Sequence, residues 1–137
     1  MKFPYLKLPA RELHLKWIAR PYIPVRLTGP KGVWEGYGLI DSGADRCLFN
    51  DQIAKQVGLN LDQGQNENFG GIEGGNLNAS LQKVTLQIIG MDKEIEVMAG
   101  FVNSSGVAAI LGQEGFFDNF RIKFERDHGI IEINLAK

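Results

Sequence analysis

Asp41 is the residue of this chain best placed to do chemistry. It ends the apolar run of Leu39 and Ile40 and opens the segment Asp41-Ser42-Gly43-Ala44-Asp45. Asp, Ser and Gly all favour turns, so one reading is a surface turn led by a capping aspartate. The other is a carboxylate held at the end of a strand in order to react. Several rival chemistries fall away on residue type and spacing. His14 and His128 are the only histidines, and neither has a second histidine or a carboxylate at the spacing of a helical metal site. Ser42 follows Leu39-Ile40-Asp41 and so lacks the G-x-S-x-G elbow of a serine hydrolase. The glycines of 70–75 are not followed by the lysine of a phosphate-cradling loop. Cys47 is the only cysteine, which leaves no intramolecular disulfide and no thiol cluster for zinc. Asp41 and Asp45 alone are too common a pairing to mark a metal site, so no metal and no cofactor is expected.

A lone carboxylate hydrolyses little. Two carboxylates about 3 Å apart cannot both ionise easily, so they share a proton and present one acid and one base to the same water. The chain has no second Asp-[Ser/Thr]-Gly, but a two-fold axis through the turn would bring the same aspartate in twice.

The elements around Asp41 read as β. Ile23, Val25 and Leu27 alternate with Pro24 and Arg26, a half-buried strand that Pro21 and Pro24 push towards a sheet edge or a bulge. Residues 28–32 turn the chain, and 33–40 return to deliver Asp41. Asn50-Asp51 caps a short helix with Ile53, Ala54 and Val57 on one side and Gly58 as its stop. The polar, glycine-rich stretch 62–80 predicts a loop or a mobile hairpin. Val84, Leu86 and Ile88 share one strand face, and Ile95 and Val97 answer them. After the turn at 104–106 comes the apolar run 107–111, and 113–120 has room for one or two helical turns. Phe120, Ile122 and Phe124 alternate into a turn at 127–129 and a closing strand. Short strands with one or two short helices predict an all-β barrel or sandwich.

A chain of 137 residues has room for one core, and 44% hydrophobic with 23% charged residues is ordinary for a globular domain. The longest wholly apolar run is five residues, and the start of the chain is interrupted by charges, which predicts a cytoplasmic protein without a membrane span. Residues 1–34 carry seven basic side chains and one acid; the remainder carries eight basic and 15 acidic. The basic residues alternate with Leu, Trp, Tyr and Pro instead of clustering, so a solvated or body-docked segment is expected rather than a nucleic-acid arm.

Three segments in order carry a family resemblance. Leu39-Ile40-Asp41-Ser42-Gly43-Ala44-Asp45 resembles the active-site motif of the retroviral-type (retropepsin-like) aspartic proteases. Phe69-Gly70-Gly71-Ile72-Glu73-Gly74-Gly75 resembles that family's glycine-rich flap, and Ala108-Ala109-Ile110-Leu111-Gly112 its apolar-apolar-glycine motif. Residues 116–125 resemble the short helix and strand that follow, and 50–59 the early helix of bacterial members. The resemblance spans about residues 20–135, leaving 1–20 as a basic extension before a domain at 21–137.

What the resemblance implies is a closed acid-protease barrel and a homodimeric aspartic endopeptidase, with one Asp41 per subunit and a peptide or protein as substrate. Asp41 is then catalytic, best at mildly acidic pH on bonds between apolar residues. Ser42 would hydrogen-bond across the dimer axis, and Gly43 would let backbone approach the carboxylate. Ala44 and Asp45 would line the substrate site, Asp45 receiving backbone amides. Gly70, Gly71, Ile72, Glu73 and Gly74 would form a flap that closes over substrate. One departure is plain: viral members carry an arginine after the motif glycine, paired with the acid at the Asp45 position, and here Gln113 stands there. The alternative implied by the same fold is a non-catalytic module that grips an extended peptide or partner strand.

Overall fold

The computed structural model describes residues 1–10, 16–72 and 75–137, the side chains of 69–72 and 75–77 excepted. In chain order the strands are β1 (Lys2–Pro4), β2 (Leu6–Pro9), β3 (Trp17–Arg20), β4 (Tyr22–Gly29), β5 (Gly32–Ile40) and β6 (Leu48–Asn50). Helix α1 (Asp51–Gln56) and a 3-10 turn (Leu61–Gln63) come next. They are followed by β7 (Gln65–Ile72), β8 (Gly75–Ile88), β9 (Glu94–Val102), β10 (Ala109–Leu111), β11 (Phe120–Glu125) and β12 (Ile130–Leu135). Strands hold 59% of the residues and helical segments 10%, so the fold is mainly β.

Six strands close a barrel in the order β4-β5-β10-β6-β9-β8, with β8 pairing back onto β4. Closure removes the open edges that a sheet of this size would otherwise expose. The pairs β5–β10 and β6–β9 are parallel and the other four antiparallel. The predicted alternation holds: Ile23, Val25 and Leu27 of β4 and Leu86 and Ile88 of β8 are fully buried, with Val84, Ile95 and Val97 nearly so. Each large aliphatic side chain buried this way contributes about 1.5–3 kcal/mol. Phe49 and Phe101 stack at 5.9 Å across the parallel β6–β9 pair.

A second sheet, β1-β12-β11, packs Phe3, Phe120, Ile131 and Ile133 into the same core. Residues 2–4, read from sequence as part of an extension, thus lie on β12 in antiparallel pairing. β2 and β3 form a separate two-stranded hairpin, with Trp17 60% exposed.

Helix α1 is short and capped as its sequence predicts. The Asn50 side chain accepts from the Gln52 N–H at 3.0 Å, and its amide donates to the Ser104 and Val107 carbonyls. Ile53, Ala54 and Val57 are buried, and Gly58 at φ +81° leaves the helix in the left-handed region that favours glycine.

The edge expected at Pro24 is local: β8 pairs with β4 only from Val25 to Thr28, so Tyr22, Ile23 and Pro24 pair in register with β5 alone. Of the loop and the hairpin expected within 62–80, the hairpin is what forms, with β7 against β8. Two expectations are corrected. Residues 113–120 are not helical. The amides of Phe117 and Asp118 reach back five residues, to the Gly112 and Gln113 carbonyls, and Gly115 sits at φ +98°. These wide turns swing Phe116 and Phe120 into the core. Phe124, expected on the inner face of its strand, is 42% exposed.

Candidate active site

Strand β5 runs antiparallel to β4 and parallel to β10, so its last residues are held on both sides. The Ile40 amide donates to the Pro21 carbonyl and the Asp41 amide to the Leu111 carbonyl, both at 3.0 Å. Asp41 then turns the chain. Its Oδ1 accepts the Gly43 N–H at 2.9 Å and its carbonyl accepts the Ala44 N–H at 3.2 Å. This is the aspartate turn that local chemistry predicts. It also orients the carboxylate: one oxygen is committed to the backbone, and no donor among the described residues reaches Oδ2.

The segment after β10 fastens the turn from beneath. The Gln113 amide donates to the Ala44 carbonyl at 2.8 Å and the Glu114 amide to the Asp45 carbonyl at 2.9 Å. The Gln113 side chain donates to the Ser42 carbonyl at 2.7 Å. Gly112 makes the approach possible, because a Cβ there would collide with the Arg46 carbonyl and lie 2.6 Å from that of Ala44. At Gly43 the need is milder. A Cβ would sit 3.3 Å from Asp41 Oδ1, a tight contact but no collision. Ser42 and Asp45 are exposed, and among the described residues the Ser42 hydroxyl makes no hydrogen bond and Asp45 no ion pair.

The ion pair that the sequence did not suggest runs the other way. Arg46, next to Asp45 in the Asp41 segment, reaches Glu114 Oε2 at 2.9 Å and Glu67 Oε1 at 3.2 Å. Its guanidinium is held above its already high pKa, chiefly by the hydrogen bond to Glu67, against the opposing effect of partial burial. Relative to the viral pattern, both partners lie one position further along and the charges are exchanged. The signal was present in the sequence as Arg46 and Glu114 flanking Asp45 and Gln113, but no spacing rule links two loops 68 residues apart.

Along β5 and β10, Ile40 and Leu111 point into the core. Leu39 and Ile110 alternate with them, are paired in register, and remain half-buried on the opposite face. Leu48 is paired with Ile110, and together with Ala79, Val102 and Val107 these residues form a second, smaller apolar cluster. An apolar strip thus approaches the Asp41 turn from outside the barrel.

The backbones of Gly70, Gly71 and Ile72 lie at the end of β7, where the β7–β8 register shifts between Phe69 and Ile72. Glu73 and Gly74 lie outside the described residues. Arg46 to Glu67 joins this hairpin to the Asp41 segment, three residues before Gly70. Among the described residues no group of three or more His, Cys, Asp or Glu is placed to hold a metal ion, and no helix is long and apolar enough to cross a membrane. Neither the family models nor the curated proteins contain a match to this chain.

Proposed function

We propose that this protein is a retropepsin-like aspartic endopeptidase that works as a homodimer, with one Asp41 from each copy activating a water between them. The observation that carries this reading is the Asp41 carboxylate itself. It stands at the end of a barrel strand with Oδ1 fixed by the Gly43 N–H, in a turn fastened by the Gly112 segment. A carboxylate oriented by its own backbone needs no reorganisation to meet its two-fold mate. The pair would then hold one proton, so that one carboxylate takes a proton from water while the other donates to the peptide carbonyl.

The exposed Ser42 hydroxyl is placed at the outer lip of the turn, where a partner copy could meet it. The strip of Leu39, Ile110 and Leu48 supports a preference for apolar side chains beside the scissile bond. The β7–β8 hairpin is the candidate cover for a bound peptide, since its last described ion pair ties it to the residue next to Asp45.

Asp41→Asn preserves the side-chain shape and the oxygen that accepts the Gly43 N–H. Its expected effect is loss of peptide cleavage by about a thousandfold or more, with thermal midpoint and sedimentation unchanged. A mutant that cuts at the wild-type rate refutes the assignment. A wild-type chain that binds an extended peptide and never cuts it would mark a binding module instead.

A further inference from the structure

Residues 41–44 form a β-turn, closed by the Ala44 N–H donating to the Asp41 carbonyl at 3.2 Å. Such a turn has two common forms, which differ by a flip of its central peptide, here Ser42–Gly43. With glycine third in the turn both forms are open, because the flipped form needs a positive φ there and glycine takes one at little cost. Gly43 stays outside the left-handed region, so the peptide is unflipped. The choice matters to Asp41. A trans peptide points its C=O and N–H in opposite directions. The orientation that aims the Gly43 N–H at Asp41 Oδ1, 2.9 Å away, therefore turns the Ser42 C=O outward. That carbonyl meets the Gln113 side-chain amide at 2.7 Å, and no other donor among the described residues reaches it. One planar unit is thus gripped at both ends, by the Asp41 carboxylate and by Gln113. The Gln113 backbone is itself fixed, its N–H donating to the Ala44 carbonyl at 2.8 Å.

We propose that Gln113 is a positioning residue: its side-chain amide holds the Ser42–Gly43 peptide in the orientation that keeps the Gly43 N–H on the Asp41 carboxylate. Without that donor the peptide can flip while the ends of the turn stay bonded. Neither the Asp41 N–H to Leu111 nor the Ala44 N–H to Asp41 involves the central peptide. After a flip the carboxylate loses the backbone bond that orients it and faces the Ser42 carbonyl oxygen instead. A donor on the C=O also polarises the peptide and strengthens its N–H, so the two bonds support each other. The consequence for catalysis rests on the protease reading above; the hold on the peptide does not.

Two variants of the full chain separate these effects: Gln113→Met, of similar length but without a donor, and Gln113→Glu, which puts an acceptor where the donor was. Amide exchange with water is followed by NMR at Gly43, with Asp41 and Ala44 as references on the same turn, and peptide cleavage is measured alongside. Gln113→Met is expected to speed exchange at Gly43 about fivefold, the worth of one net hydrogen bond, and to leave Asp41 and Ala44 within about twofold. An unchanged Gly43, or all three amides speeding together as in a turn that merely loosens, overturns the proposal. Gly43→Ala supplies a second check. A Cβ disfavours the positive φ of the flipped form, and it would meet Asp41 Oδ1 at 3.3 Å without collision. In that background, adding Gln113→Met should change exchange at residue 43 by less than about twofold, and a full fivefold acceleration there overturns the flip. Gln113→Glu repels the Ser42 carbonyl and can accept the flipped N–H, so kcat is expected to fall about fivefold with KM within about twofold. A kcat that does not move overturns the positioning role in catalysis. If Asp41→Asn abolishes cleavage while Gly43 exchange ignores Gln113→Met, the role of Gln113 falls and the protease reading stands. If exchange responds as stated in a chain that cuts no peptide, the protease reading falls and the hold on the peptide stands.

Discussion

The two glycine-marked segments at the candidate site are held in opposite ways. The Asp41 turn is fastened by backbone bonds to Leu111, Gln113 and Glu114 and by the Gln113 side chain, over a core in which Cys47 and Leu111 are fully buried. The β7–β8 hairpin extends beyond the barrel as a continuation of β8. At its base the β8 arm stays backbone-paired to β9 from Ala79 onward, with Ser80 Oγ bonded to the Leu61 carbonyl at 2.9 Å, whereas the β7 arm pairs with β8 alone and is otherwise tied by the side-chain bond of Arg46 to Glu67. Backbone bonds over a packed core open only with large parts of the fold, whereas side-chain ties at a surface open locally. The contrast matches what a hydrolytic site needs, a fixed reacting group beneath a cover that can move.

The largest expected effect tests the fixed half. Gly112→Ala forces a Cβ into the Arg46 and Ala44 carbonyls, which are backbone and cannot swing aside. A loss of about 3 kcal/mol of unfolding free energy is expected in denaturant titration. A loss below about 0.5 kcal/mol would mean that the turn is not pinned by this contact.

Next in size is the core under the turn. Burial pushes the Cys47 thiol up to about 11 from its ordinary value of 9.0. The folded state therefore keeps a proton that the unfolded chain gives up. The stabilisation is complete below pH 9 and declines as pH rises towards 11, by about 2 kcal/mol. Cys47→Ala should remove that part of the alkaline slope, seen by comparing denaturation midpoints of the two proteins at pH 8 and pH 10.5. At neutral pH the thiol should resist alkylation until the protein is unfolded. Rapid labelling of the native chain would show that the base of the turn opens easily, and the contrast between the two regions would collapse.

The smallest effect belongs to the hairpin. Ser80→Ala removes the bond to Leu61 and a contact with the Gln82 amide, at a cost of about 1 kcal/mol. That loss should appear as faster amide exchange in 65–69 of β7, with little change in the global denaturation midpoint. A global loss as large as that of Gly112→Ala would place the hairpin in the same cooperative unit as the barrel.

Much of the barrel could be read from the residues because its strands bury one face. Ile23, Val25 and Leu27, and likewise Val84, Leu86 and Ile88, alternate with polar neighbours, and burial follows that alternation. The hairpin strand β7 was harder to recognise. Gln65, Asn66, Glu67 and Asn68 have no apolar face, and their strand geometry comes from pairing with β8 rather than from their own preference. The stretch 113–120 misled in the other direction. Its Phe116 and Phe120 lie four apart, as on a helix face, but reach the core through wide turns around Gly115.

By itself the sequence determined that Asp41 would end a strand in a turn, that Gly58 would stop a helix, and that short alternating strands would build a mainly β domain. Each depends on neighbours within a few residues, where side-chain pattern and backbone preference act directly. Tertiary structure alone decided that β8 returns to β4 to close the barrel, that Gly112 lies against the Arg46 carbonyl, and that Arg46 holds Glu67 and Glu114 at once. Those contacts join residues 21 to 68 positions apart, and no local preference encodes them. They exist because one core is large enough to draw all the strands around it.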